Sequence, residues 1–167
     1  MTFIPASPAR RDARFAGTAA RGFTLVELMV VIALVAVLLG ITAPPFVQML
    51  AKMRLEGASH NLATDLQFAR TEAVQRRAAV SLATSPDGSS YGITSGAQTI
   101  KTVSFPAGIS FTGNVTITVE PLRGLANAAE VTGSSSSIDG QLRVVTDLMG
   151  RVRMCSPGAG IKGYPAC

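Results

Sequence analysis

The sequence predicts an α+β chain in which one long N-terminal helix lies on a small antiparallel β-sheet head. Three observations point there. Residues 28–51 form a run of 24 without a charge, rich in Leu, Val, Ile and Ala. Leucines and alanines then recur at helical spacing as far as Ala73. After Arg77 the pattern breaks into short β-rich runs separated by Gly, Ser, Pro and Asp.

Residues 1–22 are polar and basic, contain Pro5, Pro8 and Gly17, and show no apolar period. Arg10, Arg11, Arg14 and Arg21 face Asp12 alone, so this segment carries +3 of the formal net charge of +5. The remaining 11 basic and 9 acidic side chains net only +2, so the pI of 9.9 does not mean general nucleic-acid affinity. Any basic patch has to be local. Positive charge ahead of an apolar run holds a segment on the cytoplasmic side of a bilayer. A secretory signal is cut after its apolar region, whereas here the small residue, Gly22, stands before it. A cut at Gly22 removes the charges and leaves the apolar run intact.

About 20 apolar residues cross a hydrocarbon core, so residues 23–51 are expected to form a single membrane span. Glu27 sits near its start. A carboxylate within a bilayer is costly unless it is neutralised or paired. A new α-amino group at Phe23, one helical turn away, would supply a partner; the alternative is a side chain that snorkels to the headgroups. Pro44 and Pro45 remove helix donors and predict a kink or a local opening.

The helix is expected to resume over residues 52–78 as an amphipathic segment. Leu55, Leu62, Leu66, Ala69 and Ala73 form one stripe suited to packing on a sheet, and Glu72 and Arg76 make an exposed i,i+4 pair. His60 is the only histidine and has no evident partner in the sequence, which favours a surface or packing role. Residues 79–167 read as the β-rich head. Strands are expected in 78–84, 91–94, 99–105, 109–113 and 115–120, and in LRVVT and GRVRMC; the serine run 134–137 reads as a mobile loop. In 115–120, Val115, Ile117 and Val119 share a face.

Catalysis finds no support. The lone histidine is helical, no metal-ligand cluster or glycine-rich phosphate loop is visible, and nothing pairs a nucleophile with a base, so neither an enzyme nor a cofactor is expected. Cys155 and Cys167 are too few for a zinc site. Outside the cytoplasm they read as a disulfide worth roughly 3 kcal/mol, and otherwise as two free thiols. The segment GRVRMC, 150–155, is the informative patch. As an extended strand it would place Arg151 and Arg153 on one face, about 6.6 Å apart, with Val152 and Met154 pointing inward. With Arg143 and Lys162 against Asp147, residues 143–167 carry +3. Paired guanidinium groups suit phosphate oxygens, but they also suit acidic residues of a neighbouring subunit or plain solvation.

The run RGFTLVE, residues 21–27, resembles the prepilin-peptidase site of type IV pilins and type II secretion pseudopilins. Gly22 matches the residue before the cut, Phe23 the N-methylated first residue, and Glu27 the fifth residue of the processed chain. In related pilins that glutamate is thought to pair with the amino group of a neighbouring subunit. Asp65, Leu66, Ala69, Arg70, Glu72, Ala73 and Arg76 or Arg77 resemble a "DL..AR.EA..R" run of the GspH/FimT branch. Members often carry a tryptophan in the early hairpin; this chain has none, and Tyr91 is the candidate substitute. GRVR resembles the C-terminal DNA-binding motif of FimT-type minor pilins, which help to capture DNA in natural transformation, and Arg151 and Arg153 match its arginines.

The resemblance implies a type IV pilin fold and a bacterial inner-membrane protein with a periplasmic head that later enters a pilus or pseudopilus. Its partners would be prepilin peptidase, other pilin or pseudopilin subunits, inner-membrane lipid and, in the FimT-like reading, DNA. The other reading is a structural GspH-type pseudopilin of a type II secretion system without DNA binding. Replacing Gly22 by a bulky residue, as in Gly22→Leu, is expected to block processing. N-terminal sequencing checks this, and a chain beginning at Phe23 in that variant would refute the cleavage site.

Overall fold

The helix starts at a cap written into the sequence. Thr24 Oγ1 accepts the Glu27 N–H at 3.2 Å and the Thr24 carbonyl accepts the Leu28 N–H at 3.2 Å. This Thr-x-x-Glu spacing is that of a capping box, and an acid in the first turn suits the positive end of the helix dipole. Helix α1 then runs Leu25–Arg76. A computed structural model describes residues 22–167; the side chains of residues 41–45 and 159 lie outside the described residues, as does the expected leader over 1–21. The backbone of α1 is helical through Pro44 and Pro45, where a kink or a local opening was expected.

The chain divides into two units, Met1–Gly40 and Ile41–Cys167. In the first, every side chain from Gly22 to Gly40 is exposed, including Leu28, Val31, Leu34 and Leu38. A helix that is apolar all round is stable only when covered by lipid or protein. Among the described residues no helix is long and apolar enough to cross a membrane. The span expected over 23–51 includes residues 41–45, whose side chains are not described.

In the second unit the expected stripe of α1 is buried: Leu55, Ala58, Leu62, Leu66, Ala69 and Ala73 belong to one core. Alanines stand at both ends of the stripe, Ala51 and Ala58 before Leu62 and Ala69 and Ala73 after Leu66. The helix stops two residues short of its expected end. Arg77 turns left-handed (φ 53°), with Arg77 N–H donating to the Val74 carbonyl and Ala78 N–H to that of Ala73. These two reverse bonds form a Schellman cap, here with an arginine where glycine is usual.

Eight strands follow: β1 Val80–Thr84, β2 Ser90–Ser95, β3 Gln98–Ser104, β4 Ile109–Phe111, β5 Thr116–Val119, β6 Ala129–Ser135, β7 Ile138–Thr146 and β8 Val152–Cys155. Instead of one sheet they make two, ordered β3-β2-β1-β5 and β4-β6-β7-β8, with antiparallel pairing throughout. Inward positions alternate as strand geometry requires: Val80 and Leu82 of β1, Ile117 and Val119 of β5, and Leu142 and Val144 of β7 are buried. Tyr91, Phe105 and Phe111 stack in series, with centroids 5.3 and 4.2 Å apart, and link β2 to β4 across the two sheets. The serine run is a correction. Ser134 and Ser135 end β6, and Ser136–Ser137 turn the chain into β7. β6 had no counterpart in the sequence reading.

One acid lies within the core stripe. Asp65 is 9% exposed at its side chain and takes the Tyr91 hydroxyl at 2.6 Å and the Lys101 ammonium at 2.7 Å on both oxygens. Those three bonds satisfy the carboxylate. Burial, and then the Asp65 carboxylate, push the Tyr91 hydroxyl well above its ordinary pKa, so it stays a donor. Tyr91 thus lies in the core of the early hairpin.

Truncating the middle of the stripe tests this core. Leu62→Ala is expected to cost about 2–5 kcal/mol, because Leu62 has no solvent exposure. Thermal unfolding followed by circular dichroism measures it, and a loss below about 1 kcal/mol would show that the stripe does not close the core.

Candidate functional site

The arginine segment leaves β7 through a hairpin whose loop is fixed by Asp147 and Gly150. The Asp147 N–H donates to the Arg151 carbonyl at 3.1 Å, and the Gly150 N–H to the Asp147 carbonyl at 2.9 Å. Gly150 adopts φ +71°, the left-handed residue that closes a three-residue hairpin loop. Asp147 Oδ1 also accepts the N–H groups of Met149 and Arg151, at 3.0 and 2.9 Å. Together these place Arg151 one residue ahead of β8, which is a correction to the strand expected over GRVRMC. The alternation holds within β8: Arg153 is exposed while Val152 and Met154 pack against the core.

Arg151 leans back onto its own loop. Its Nε donates to Asp147 Oδ2 at 2.8 Å, with Arg151 74% exposed. The backbone N–H of Arg151, followed by its guanidinium, holds the Asp147 carboxyl below its ordinary pKa. An ion pair this exposed contributes at most about 1 kcal/mol. Arg153, by contrast, has no hydrogen-bond or ion-pair partner among the described residues.

A third arginine joins them from the helix. Arg70 lies half-buried beside Gly124 and Gly150, and its Nη1 reaches the Gly150 carbonyl at 3.5 Å. Neither glycine has room for a side chain. A Cβ at Gly124 would stand 2.7 Å from Arg70 Nε, and one at Gly150 2.6 Å from the Gly124 carbonyl oxygen. The backbone therefore closes around the Arg70 side chain. Gln67, Arg70, Gly150, Arg151, Val152 and Arg153 line one cleft of about 510 Å³, and none of them is acidic. The chemistry of three guanidinium groups and an amide suits a phosphate or another oxyanion.

The other two candidates lie elsewhere. Arg143 lines a second cleft of about 340 Å³ with Arg153, but its Nη1 is spent on Glu130 Oε2 at 2.9 Å. Lys162 lines a separate cleft with Lys52 and Asp139, and Lys52 Nζ donates to its carbonyl at 3.2 Å. Neither shares the Arg70 cleft. Arg70 was visible in the sequence only as part of the helical run, because 80 residues separate it from Gly150.

Cys155 and Cys167 form a disulfide. It closes a C-terminal strap that docks on the helix: Ile161 is buried, and His60 Nε2 shares a hydrogen bond with the Tyr164 hydroxyl at 3.1 Å. His60 thus has the partner that the sequence did not reveal. Among the described residues no group of three His, Cys, Asp or Glu side chains could hold a metal ion. Glu27 stands at the third position of α1, in reach of the helix cap.

Residues 58–158 match the family model described as type II transport protein GspH. The chain belongs to the GspH family. A prokaryotic N-terminal methylation motif matches residues 18–43, which include Gly22, Phe23 and Glu27. Such a motif implies processing by prepilin peptidase and assembly with other pilin subunits. No curated protein matches the sequence. Among solved structures, this GspH-family chain resembles the type IV minor pilin FimU of Pseudomonas aeruginosa, with TM-score 0.53, 21% identity, and 64% of this chain and 95% of that one covered. It also resembles the minor pseudopilin EpsH from the type 2 secretion system of Vibrio cholerae, with TM-score 0.52, 15% identity, and coverage of 63% and 98%. At such identities the likeness is one of fold: a helix on antiparallel sheets, as in pilins. The family match and the methylation motif together make the chain a pilin-like protein of the GspH family.

Gly150→Ala tests the loop that sets the arginines. Its strained φ and the blocked approach to Gly124 are expected to cost about 1–3 kcal/mol. A melting curve within error of the original chain would show that the loop does not need glycine there.

Proposed function

We propose that this chain is a FimT-like minor pilin that binds DNA weakly through its phosphates, with Arg151 and Arg153 of the β7–β8 hairpin as its contacts. One observation carries the proposal. Arg153 is exposed and unpartnered among the described residues, beside Arg151, in a cleft that no carboxylate lines. Affinity from so few charges is mainly electrostatic and falls steeply with salt, and nothing enters a groove to read bases. Arg143 and Lys162 could add to the field around the cleft without touching the same phosphate.

In this reading prepilin peptidase cuts after Gly22, Phe23 becomes the methylated N-terminus, and the exposed apolar residues of α1 lie in inner-membrane lipid before assembly. The head then faces the periplasm. Glu27, at the start of the processed helix, pairs with the terminal amino group of a neighbouring subunit during assembly. A second reading is a GspH-type pseudopilin with no ligand, favoured by the family description and the likeness to EpsH. There the arginines would meet acidic residues of the next subunit.

The two readings part on one measurement. Fluorescence anisotropy of a labelled duplex is recorded with the full chain in nonionic detergent, at low and at raised salt. Binding is expected at low salt, to weaken as salt rises, and to vanish in Arg151→Ala/Arg153→Ala while circular dichroism shows the fold retained. No binding by the original chain at low salt would overturn the DNA-receptor reading in favour of the pseudopilin.

A further inference from the structure

We infer that the phosphate site has two walls, Gln67 and Arg70 of the helix opposite Arg151 of the β7–β8 loop and Arg153 of β8, with Asp147 as a built-in competitor that occupies Arg151 until phosphate arrives. The inference rests on the DNA-binding reading and deepens it, since a motif confined to Arg151 and Arg153 would not involve the helix.

Three features of the cleft support it. The first is preorganisation. Arg70 packs beside two glycines with its Nη1 3.5 Å from the Gly150 carbonyl, so a phosphate meets a guanidinium already placed at the cleft wall. The second is charge. Three cationic side chains line one concave surface with no acid among the lining residues, and Gln67 adds an exposed amide at the helix edge. The third is the Asp147 arrangement. One of its oxygens holds the loop through two backbone N–H groups, while the other takes only the Arg151 Nε. The second bond can be exchanged for a phosphate oxygen without unfolding the hairpin. The partner is therefore a phosphodiester of the nucleic-acid backbone, held from both sides and without base contacts.

Two substitutions test this without touching the core. Gln67→Glu is isosteric at an exposed helix position and places a carboxylate in the cleft. Asp147→Asn keeps an oxygen for the loop N–H groups and removes the charge that competes for Arg151. Binding of a labelled duplex to the full chain in detergent is measured across a salt series, with circular dichroism as the control for folding. Gln67→Glu is expected to weaken binding several-fold and to lower the slope of log affinity against log salt by about 1. Asp147→Asn is expected to tighten binding. If Gln67→Glu binds as the original chain does, while Arg151→Ala/Arg153→Ala abolishes binding, the helix wall is wrong and the GRVR motif alone carries DNA; if Asp147→Asn does not tighten binding, the competitor is wrong. If the original chain binds no DNA, pyrophosphate titration followed by NMR of the arginine Nε–H signals decides. Shifts at Arg70, Arg151 and Arg153 keep the two-wall anion site and reject DNA as its ligand; no shifts reject both.

Discussion

A single stripe of α1 has to close the core beneath two sheets, and the rest of the head follows from that constraint. Leu55, Leu62, Leu66, Ala69 and Ala73 are buried in one cluster with residues of both sheets. Arg70, next to Ala69, lies against the β7–β8 loop. The neighbouring positions of one helix therefore do different work. Ala69 packs inward, Arg70 reaches sideways into the cleft, and Asp65, one turn earlier, is fixed by Tyr91 and Lys101. A carboxylate satisfied in this way tolerates only one rotation of the helix about its axis. Any other would bury an unpaired charge.

The cleft is a product of that fixed rotation together with one hairpin loop. Gly150 is needed for its left-handed backbone and for the space it leaves to Gly124 and Arg70. Asp147 anchors the same loop and draws Arg151 away from β8, so the two arginines of GRVR are not equivalent. Arg153 projects from a regular strand; Arg151 is held by a loop acid. A motif that looks symmetrical as text is asymmetrical in space.

Much of the fold was legible because its signals are periodic. The helical stripe, the alternation in β5, and the break after Arg77 all follow from spacing alone. β6 was not legible: in AEVTGSS only Val131 is a large inward apolar residue, and the serines around it have the composition of a loop. Those serines pair as strand because β4 and β7 flank them on both sides. The division into two sheets was hidden for the same reason, since pairing partners leave no mark on the order of residues. The site was half legible. Arg151 and Arg153 stand close in sequence, whereas Arg70 and Gln67 join them only through tertiary packing, and Arg143 and Lys162 are taken away by it. His60 lacked a visible partner because Tyr164 is 104 residues distant.

The C-terminal strap has a mechanical consequence. Lys52 and His60 hold Lys162 and Tyr164, and the disulfide hands that grip on to β8 through Cys155. Tension applied along α1 does not have to pass through the whole head in chain order. It is shared from the start of the helical stripe to the last strand by a covalent shortcut. In a filament subunit loaded from its helix, the strap would bear force before the sheets are peeled, and reduction of one bond would shift that load to the hydrogen bonds between β7 and β8.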